Sequence, residues 1–375
     1  WTTETYQNGT EITNSDTVKI TSNITIYARW TPNQTAYTIT YLFESLDSST
    51  IYEPNATYGN ITDVTAETDS QITDEMIRAI TAERYPNIVG FTYSYAETAT
   101  VNADGSTVIT VYMTRDYNTL TLTFDEGIDS FTASIASENI AEGQQATFYL
   151  RSTGDNTYSV RFGAVVTLDY EISNAGYEFD EYSTLSAISI DADTFTMIDE
   201  NVSIRATVNA REFTITYHRN YNADDIETTT QTGFYNTTLN LLGDDTFTRE
   251  GYDFLGWATT REQAEEGKYS YAGNAPYTMT EYAPGFDLYA VWSADALRLV
   301  VSSDRGINRD EIVLKVNGSV RDVDTISRLN YDDAIEIDLT NAVMPGYDFA
   351  GVTSTGTAVT NDTGTLIYRI DALNE

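Results

Sequence analysis

The stretch Gly251-Tyr-Asp-Phe-Leu-Gly-Trp257 places two glycines and four aromatic or large apolar residues within seven positions. The first glycine permits a positive φ at a turn, and Tyr252 and Phe254 then point to one side of the strand that follows. Gly256 releases the chain so that Trp257 reaches the same core. A module of about 80 residues has a small interior, so a few aromatic side chains must supply most of its stability. The stretch is therefore predicted to be the core motif of a small β-module.

This core motif recurs at intervals that match the size of a small domain. Its further copies are Gly176-Tyr-Glu-Phe179, Gly346-Tyr-Asp-Phe349 and a looser Gly90-Phe-Thr-Tyr93. A strand that closes a module carries one apolar face, formed by Leu288, Ala290 and Trp292 in one unit and by Ile24, Ile26, Ala28 and Trp30 in another. Alternating strands such as Phe213–Tyr217 and Leu297–Val301 are predicted to open the modules. The chain is thus predicted to be a string of modules.

The composition indicates a β-rich protein made of several domains. The 375 residues are too many for one ordinary core, and the chain holds 28 tyrosines and alternating runs of β-branched residues. Only the residues from Thr73 to Arg84, with Thr73 as N-cap and Pro86 as stop, predict a helix. A hairpin is expected around Asp104-Gly105, between 98–101 and 107–111. The fold class is therefore mainly β with a minor α element.

The spacing of these signals divides the chain into five parts. Trp1 aligns with Trp257, so residues 1–31 are expected to be the C-terminal half of a truncated module. Complete β-modules are predicted at 32–116, which includes the helix, and at 117–211, 212–293 and 294–375. The linkers between them are short, which favours an elongated, semi-rigid array.

The charge balance excludes several classes of partner. The net charge of −37 would repel nucleic acid and anionic membrane surfaces. The chain has no cysteine, which excludes disulfides and a cysteine nucleophile, and no apolar run long enough to span a membrane. An extracellular location, with no nucleic-acid partner and no direct membrane insertion, is expected.

The motif of residues 251–257, with the closing Leu-Tyr-Ala-Val-Trp of 288–292, resembles the internalin-type B-repeat of bacterial cell-surface proteins. The resemblance implies small β-grasp-like domains strung in tandem on adhesins and surface stalks. It covers 212–293 and 1–30, and extends to 117–211 and 294–375, while residues 35–116 resemble the mucin-binding-protein type of repeat. Because the motif marks packing positions, the resemblance implies an architecture and a location but no binding residue.

Catalytic chemistry finds little support in the sequence. His218 is the only histidine, and it lies on the Thr-bearing face of an alternating strand without a nucleophile motif beside it. Paired carboxylates could perform glycoside hydrolysis, but nothing distinguishes one pair among 57 acidic residues. The chain is therefore expected not to be an enzyme.

Calcium is the one cofactor that the sequence leaves open. Clusters of carboxylates could ligate it, although none matches the twelve-residue calcium loop: Asp191 and Asp193, Asp224-Asp225, Asp244-Asp245, Asp322 and Asp324, and Asp332-Asp333. Lys19 and Lys315 lie in strand-like runs where a Lys-to-Asn crosslink could form, but the sequence identifies no Asn partner for either lysine.

The expected function is that of a non-enzymatic stalk and adhesion segment of a large bacterial surface protein. It would space a binding head from the cell, or bind host or neighbouring-cell glycans or surface proteins weakly at many sites. The alternative is a specific carbohydrate-binding or calcium-dependent assembly module, with ligand-facing aromatic residues at Tyr269, Tyr271, Tyr277 and Tyr282. The ligand, the anchor and the oligomeric state stay open.

Overall fold

The structure is a computed structural model that describes residues 11–17, 19–28, 30–323, 329–353, 360–361 and 366–370. Strands account for 44% and helices for 8%, which confirms a mainly β chain with a minor α element. The chain forms two compact units. The first contains the residues up to Asn174 together with Phe179–Asn209, and the second contains Ala175–Glu178 together with the residues from Ala210 onward.

The first sheet is mixed and has a parallel pair at its centre. Strands β1 and β7 pair in parallel, and their outer neighbours β2, β3 and β5 pair with them antiparallel. A separate two-stranded sheet joins β4 and β6. The elements are β1 (Gln34–Glu44), β2 (Tyr52–Glu53), β3 (Ile61–Glu67), β4 (Gln71–Ile72), α1 (Asp74–Arg84), β5 (Phe91–Ala96), β6 (Ala99–Thr100) and β7 (Val108–Arg115).

Helix α1 confirms the predicted helix. The hydroxyl of Thr73 accepts a hydrogen bond from the amide of Met76 at 3.3 Å, so it caps the first turn. Ile72, which precedes the cap, and Ile77, in the helix, are both fully buried in the same core and anchor the helix on the sheet. The predicted hairpin at 104–105 is wrong in its pairing: a turn forms there, but β6 pairs with β4, and β7 lies beside β1.

Residues 117–210 repeat the same mixed arrangement, with β8 and β15 as the parallel centre. The sheet order is β10-β11-β8-β15-β13, and a second sheet, β14-β12-β9, completes the core. The elements are β8 (Tyr117–Phe124), β9 (Ser130–Ser134), a 3-10 turn (Ser137–Asn139), α2 (Ala146–Tyr149), β10 (Leu150–Gly154), β11 (Thr157–Arg161), β12 (Val165–Glu171), β13 (Tyr177–Thr184), β14 (Thr194–Thr196) and β15 (Val202–Ala210).

Residues 212–294 contain a third mixed sheet with a parallel pair at its centre. The order is β17-β16-β21-β19, β16 and β21 are parallel, and β18 pairs with β20 in a small second sheet. The elements are β16 (Glu212–His218), β17 (Thr228–Phe234), β18 (Thr238–Asn240), β19 (Tyr252–Ala258), α3 (Arg261–Glu265), β20 (Pro276–Thr278) and β21 (Gly285–Ala294).

The last segment departs from this pattern, because its five-stranded sheet β24-β23-β26-β28-β27 is antiparallel throughout. The predicted opening strand 297–301 is wrong beyond Leu297, since the carbonyl of Val301 accepts from the Arg309 side chain instead of a strand. The elements are β22 (Ala296–Leu297), a 3-10 turn (Arg309–Glu311), β23 (Val313–Val316), β24 (Ser319–Arg321), β25 (Leu329–Asn330), β26 (Ile335–Asp338), β27 (Thr360–Asn361) and β28 (Ile367–Ile370).

The described residues between 11 and 31 form no named strand. Trp30 is 87% exposed, so its prediction as a core residue is wrong. The reason is that the described part of this segment builds no sheet on which the indole could pack. Trp1, on which the alignment with Trp257 rests, lies outside the described residues.

Candidate functional sites

The core motif of residues 251–257 forms most of strand β19, which contains a β-bulge at Gly256. Phe254 pairs with Trp292 and Trp257 with Ala290, so one extra residue lies between the two pairs and turns both aromatic side chains to the same face. Their ring centroids are 4.9 Å apart. Trp257 is fully buried, and its Nε1–H donates to the carbonyl of Leu242 at 2.7 Å. A side chain on Gly256 would meet the carbonyl of Tyr271 at 2.5 Å, so only glycine fits.

The other predicted core positions pack in their own segments. Phe179 stacks on Tyr170 with ring centroids 4.3 Å apart, and Phe349 lies 5.8 Å from Tyr368. Leu288 is fully buried, and the half-buried Trp292 donates through Nε1–H to the carbonyl of Arg219 at 2.8 Å.

The tyrosines that follow Gly176, Gly251 and Gly346 are less buried than these core residues. Tyr177 and Tyr252 are half-buried at the motif turns. Tyr347 is 54% exposed, so its prediction as a core residue is wrong. It stands at a turn that Gly346 begins with a φ of +88°, and the ring lies against Gly306 at the surface.

The turn at Gly251–Tyr252 forms a contact that the sequence did not predict. A Cβ on Gly251 would lie 2.2 Å from carbons of the Tyr331 ring, which therefore rests directly on the glycine backbone. The amide of Asp295 donates to the carbonyl of Gly251 at 2.8 Å, and the amide of Tyr331 donates to the carbonyl of Asp295 at 2.9 Å. The Tyr252 and Tyr331 rings meet edge to face at 5.9 Å. We call this set of contacts a glycine–aromatic joint.

A second glycine–aromatic joint occurs in the same unit. The ring of Tyr235 covers Gly176, with 2.3 Å between a ring carbon and the position of a Cβ. The amide of Arg211 donates to the Gly176 carbonyl at 2.8 Å, and the Tyr235 amide donates to the Arg211 carbonyl at 2.9 Å. Tyr177 meets Tyr235 edge to face at 5.2 Å. The two hydrogen bonds and the ring contact are those of the first joint.

The first unit contains a third joint. Phe162 covers Gly90, with 2.0 Å between a ring carbon and the position of a Cβ. The Asp116 amide donates to the Gly90 carbonyl at 3.0 Å, and the Phe162 amide donates to the Asp116 carbonyl at 2.9 Å. The rings of Phe91 and Phe162 meet edge to face at 5.8 Å. Each joint therefore consists of a motif glycine, a linker residue and an aromatic residue from the following sheet.

A buried ion pair supports the third joint. Arg161, next to Phe162, places a guanidinium nitrogen 3.0 Å from the Glu44 carboxylate, and both side chains are almost fully buried. The second carboxylate oxygen accepts the Arg115 amide at 2.7 Å. Arg161 also donates to the carbonyls of Ser45 and Leu46, which leaves the pair well satisfied. Burial, and then the charge of Arg161, lower the pKa of Arg115.

The four predicted ligand-facing tyrosines fall into two groups. Tyr271 and Tyr277 meet edge to face at 5.7 Å and pack on the core around Trp257, where burial raises the pKa of Tyr277. Tyr282 packs on the same core and donates through its hydroxyl to the carbonyl of Glu212 at 3.1 Å. Tyr269 is 53% exposed and lies over Gly256. Among the four, Tyr269 alone presents a ring to solvent.

Four carboxylates of the predicted calcium clusters accept local hydrogen bonds. Asp225 is buried and accepts two bonds from Arg219, Asp193 accepts from Tyr182, Asp332 from Tyr252 and Asp333 from Asn317. Within the described residues, no group of three or more carboxylates or histidines converges as a metal site would require. Asp324 lies outside the described residues.

The remaining candidates have ordinary partners. His218 Nε2 lies 2.8 Å from the Asp287 carboxylate, and the imidazole stacks on Tyr289 at 4.4 Å. Lys315 Nζ lies 2.7 Å from the Glu336 carboxylate, at one wall of a cavity of about 260 Å³ that Arg369 also lines. Lys19 is exposed.

Comparison with known proteins identifies the segment that carries the quoted motif. Residues 213–291 match the Listeria-Bacteroides repeat domain, a repeat of bacterial surface proteins. A protein of Evansella cellulosilytica described as "Putative membrane protein" is 24% identical over 299 residues, which is 77% of this chain and 38% of that protein. The chain thus spans well under half of that relative. The Bacillus anthracis TIE protein aligns in structure at 9% identity and a TM-score of 0.27, over 69% of this chain and 51% of the other.

The match of residues 213–291 and the Evansella relative agree with a surface-associated repeat protein of bacterial type. In the part of the chain that the structure describes, no helix is long and apolar enough to cross a membrane.

Proposed function

We propose that this chain is a non-enzymatic spacer and adhesion segment of a large bacterial cell-surface repeat protein. The observation that carries the proposal is the glycine–aromatic joint, which occurs three times among the described residues with the same pair of backbone hydrogen bonds. A spacer requires connections that resist bending, and each joint immobilises a linker residue on both sides. The match of residues 213–291 to a surface repeat supports the same reading.

In this proposal the chain contains four small β-modules, at 32–116, 117–211, 212–293 and 294–375. Each sheet draws its strands from only one of these ranges, apart from Ala294 at the end of β21. In the first three, a parallel central pair is flanked by antiparallel strands, as in β-grasp-like folds, which supports the likeness to internalin-type and mucin-binding repeats. The segment is proposed to lie outside the cell, anchored through parts beyond it.

The proposal includes an adhesive role in addition to the spacer role. Weak contacts with host or neighbouring-cell glycans or surface proteins would gain strength from repetition along the chain. The test is to display the purified chain on beads and measure capture of glycans and of intact cells, with monomeric chain as the comparison. Capture that requires dense display supports adhesion, and no capture at any density leaves a spacer role alone. Antibodies that fail to label intact producing cells would contradict the surface location.

A second candidate is a specific carbohydrate site, which the exposed ring of Tyr269 favours. Stacking of a sugar on this ring predicts that Tyr269→Ala abolishes glycan binding. Tyr95→Ala is the matched control, because Tyr95 is 49% exposed on another sheet. A calcium-dependent assembly module would instead have to bind calcium, so titration calorimetry of the chain with calcium alone tests that alternative. Heat of binding in the micromolar to millimolar range would favour it.

A further inference from the structure

A fourth copy of the motif turn lies at Gly346–Tyr347. Its glycine has a φ of +88°, close to the +69° of Gly251. The amide of Tyr347 donates to the carbonyl of Met344 at 3.2 Å, and the corresponding bond at the Gly251 turn has the same length. The backbone of the fourth turn is therefore already shaped like that of a turn engaged in a joint.

The fourth turn differs from the other three in its cover. Within the described residues, nothing lies within 4 Å of a Cβ placed on Gly346, whereas ring carbons come within 2.0–2.3 Å in the three joints. Gly90 and Gly176 are buried, while Gly346 and Tyr347 are exposed. The described part of the chain thus presents one motif turn without an aromatic partner.

The three joints show what such a turn accepts. In each, the covering ring belongs to a residue that stands immediately before a residue with positive φ: Phe162 before Gly163, Tyr235 before Asn236 and Tyr331 before Asp332. The left-handed residue turns the chain away, so the ring projects from the end of its strand. The partner is therefore defined by an aromatic residue followed by a residue that tolerates the left-handed conformation.

We propose that Gly346–Tyr347 is a docking surface for an aromatic ring presented in this way by a further β-module joined to the C-terminal side of this segment. The ring follows its glycine in sequence in all three joints, and the linker residue between them bonds to both. Among its described residues, a second copy of the chain offers no suitable ring, because Phe162, Tyr235 and Tyr331 already cover glycines of their own chain. In the first sheet, Thr68 takes the position that the aromatic residue has in a joint, and its amide donates to the Asn33 carbonyl at 2.9 Å. Thr68 has no aromatic ring, so a second copy cannot use it as the partner.

The test extends the full chain beyond Glu375 by a second copy of residues 211–293, which brings the linker Arg211 and the ring of Tyr235. The readout is the rate of nitration of Tyr347 by tetranitromethane, mapped by mass spectrometry. Tyr95 is the internal reference, because it is similarly exposed and belongs to the other compact unit. We expect the Tyr347 rate to fall at least about fivefold in the extended chain while the Tyr95 rate stays unchanged.

The matched control carries Tyr235→Ala in the added copy only, and it should restore the Tyr347 rate of the unextended chain. Gly346→Ala in the extended chain is a second control, since it occupies the place of the ring without meeting another described residue. The tryptophan fluorescence of the extended chain, compared with that of the unextended chain, reports whether the added copy folds. A Tyr347 rate that is the same in the unextended, extended and control chains would overturn the proposal. So would protection of Tyr347 in the unextended chain that grows with concentration, because it would assign the surface to a second copy.

Discussion

The ring of Tyr331 rests on the backbone of Gly251, and a Cβ at residue 251 would lie 2.2 Å from its carbons. The two residues belong to consecutive sheets of the second unit, and Asp295 between them bonds to both through its backbone. A glycine and a ring thus fix the path of a linker. The glycine of the quoted motif therefore serves the connection to the next sheet, while its tryptophan serves the core.

Replacing Gly251 by alanine should disrupt this joint. The φ of +69° costs a non-glycine residue on the order of 1 kcal/mol, and displacement of the Tyr331 ring adds about 1–3 kcal/mol. Gly267→Ala is the control, because its φ is +73° and no described residue lies within 4 Å of its Cβ position. Urea unfolding of the second unit measures both. Equal losses for the two variants would show that the ring contact adds nothing.

Trp257→Ala should destabilise the segment of residues 212–294 by about 3–5 kcal/mol, because the indole is fully buried and its Nε1–H bond to Leu242 is lost. Trp30→Ala should change stability by less than about 0.5 kcal/mol, since that indole is exposed. Tryptophan fluorescence during denaturant unfolding compares the two variants. A large effect of Trp30→Ala would contradict the placement of that side chain.

These comparisons show what the sequence could and could not predict. The positions of Gly251, Phe254 and Trp257 follow from local spacing, and so does the helix capped by Thr73. The joint partners do not, because Tyr252 contacts a turn 80 residues away in sequence. An alternating pattern also cannot tell a paired strand from an extended segment, which is why the strand predicted after Leu297 ends there.

A signal for the joints was nevertheless present. Phe162, Tyr235 and Tyr331 each precede Gly, Asn or Asp, the residues that most readily adopt a positive φ. This pair of residue types could have been sought as the partner of the Gly-Tyr or Gly-Phe turn, although it also occurs at positions that form no joint, such as Tyr221-Asn222 and Phe286-Asp287. The exposure of Tyr269 had no comparable signal, because a tyrosine in a half-buried strand looks the same on either face.

The buried pair of Glu44 and Arg161 should respond strongly to the loss of one partner. Arg161→Met leaves an unpaired carboxylate in the interior and should cost about 3–5 kcal/mol, whereas combining it with Glu44→Leu should recover most of that loss. The exposed pair of Arg84 and Asp63 in the same unit is the control, and its removal should cost less than about 1 kcal/mol. Thermal unfolding of the first unit provides the measurement. Additive losses in the double variant would contradict a coupled pair.

Asp225 should make the second unit sensitive to acid. Hydrogen bonds from Arg219, and then from the amides of Tyr221 and Glu227, hold the pKa of Asp225 at about 2, below its ordinary 3.8. The unfolded chain takes up the proton first as pH falls, so this stabilisation is complete above pH 4 and is lost between about pH 4 and 2. The contribution is about 2 kcal/mol. The stability gap between the parent chain and Asp225→Asn should therefore close over that interval, and a gap independent of pH would contradict the assignment.

Hydrogen exchange at the amides of Phe162, Tyr235 and Tyr331 tests most directly whether the joints fix the linkers. Each amide donates to the carbonyl of its linker residue, so all three should exchange as slowly as the strand amide of Ile215, which lies in the centre of its sheet. The exposed turn at Gly143 gives the fast reference. Slow exchange at all three positions is the expected result. Exchange at the rate of Gly143 would mean that the joints open freely, and the spacer proposal would lose its basis.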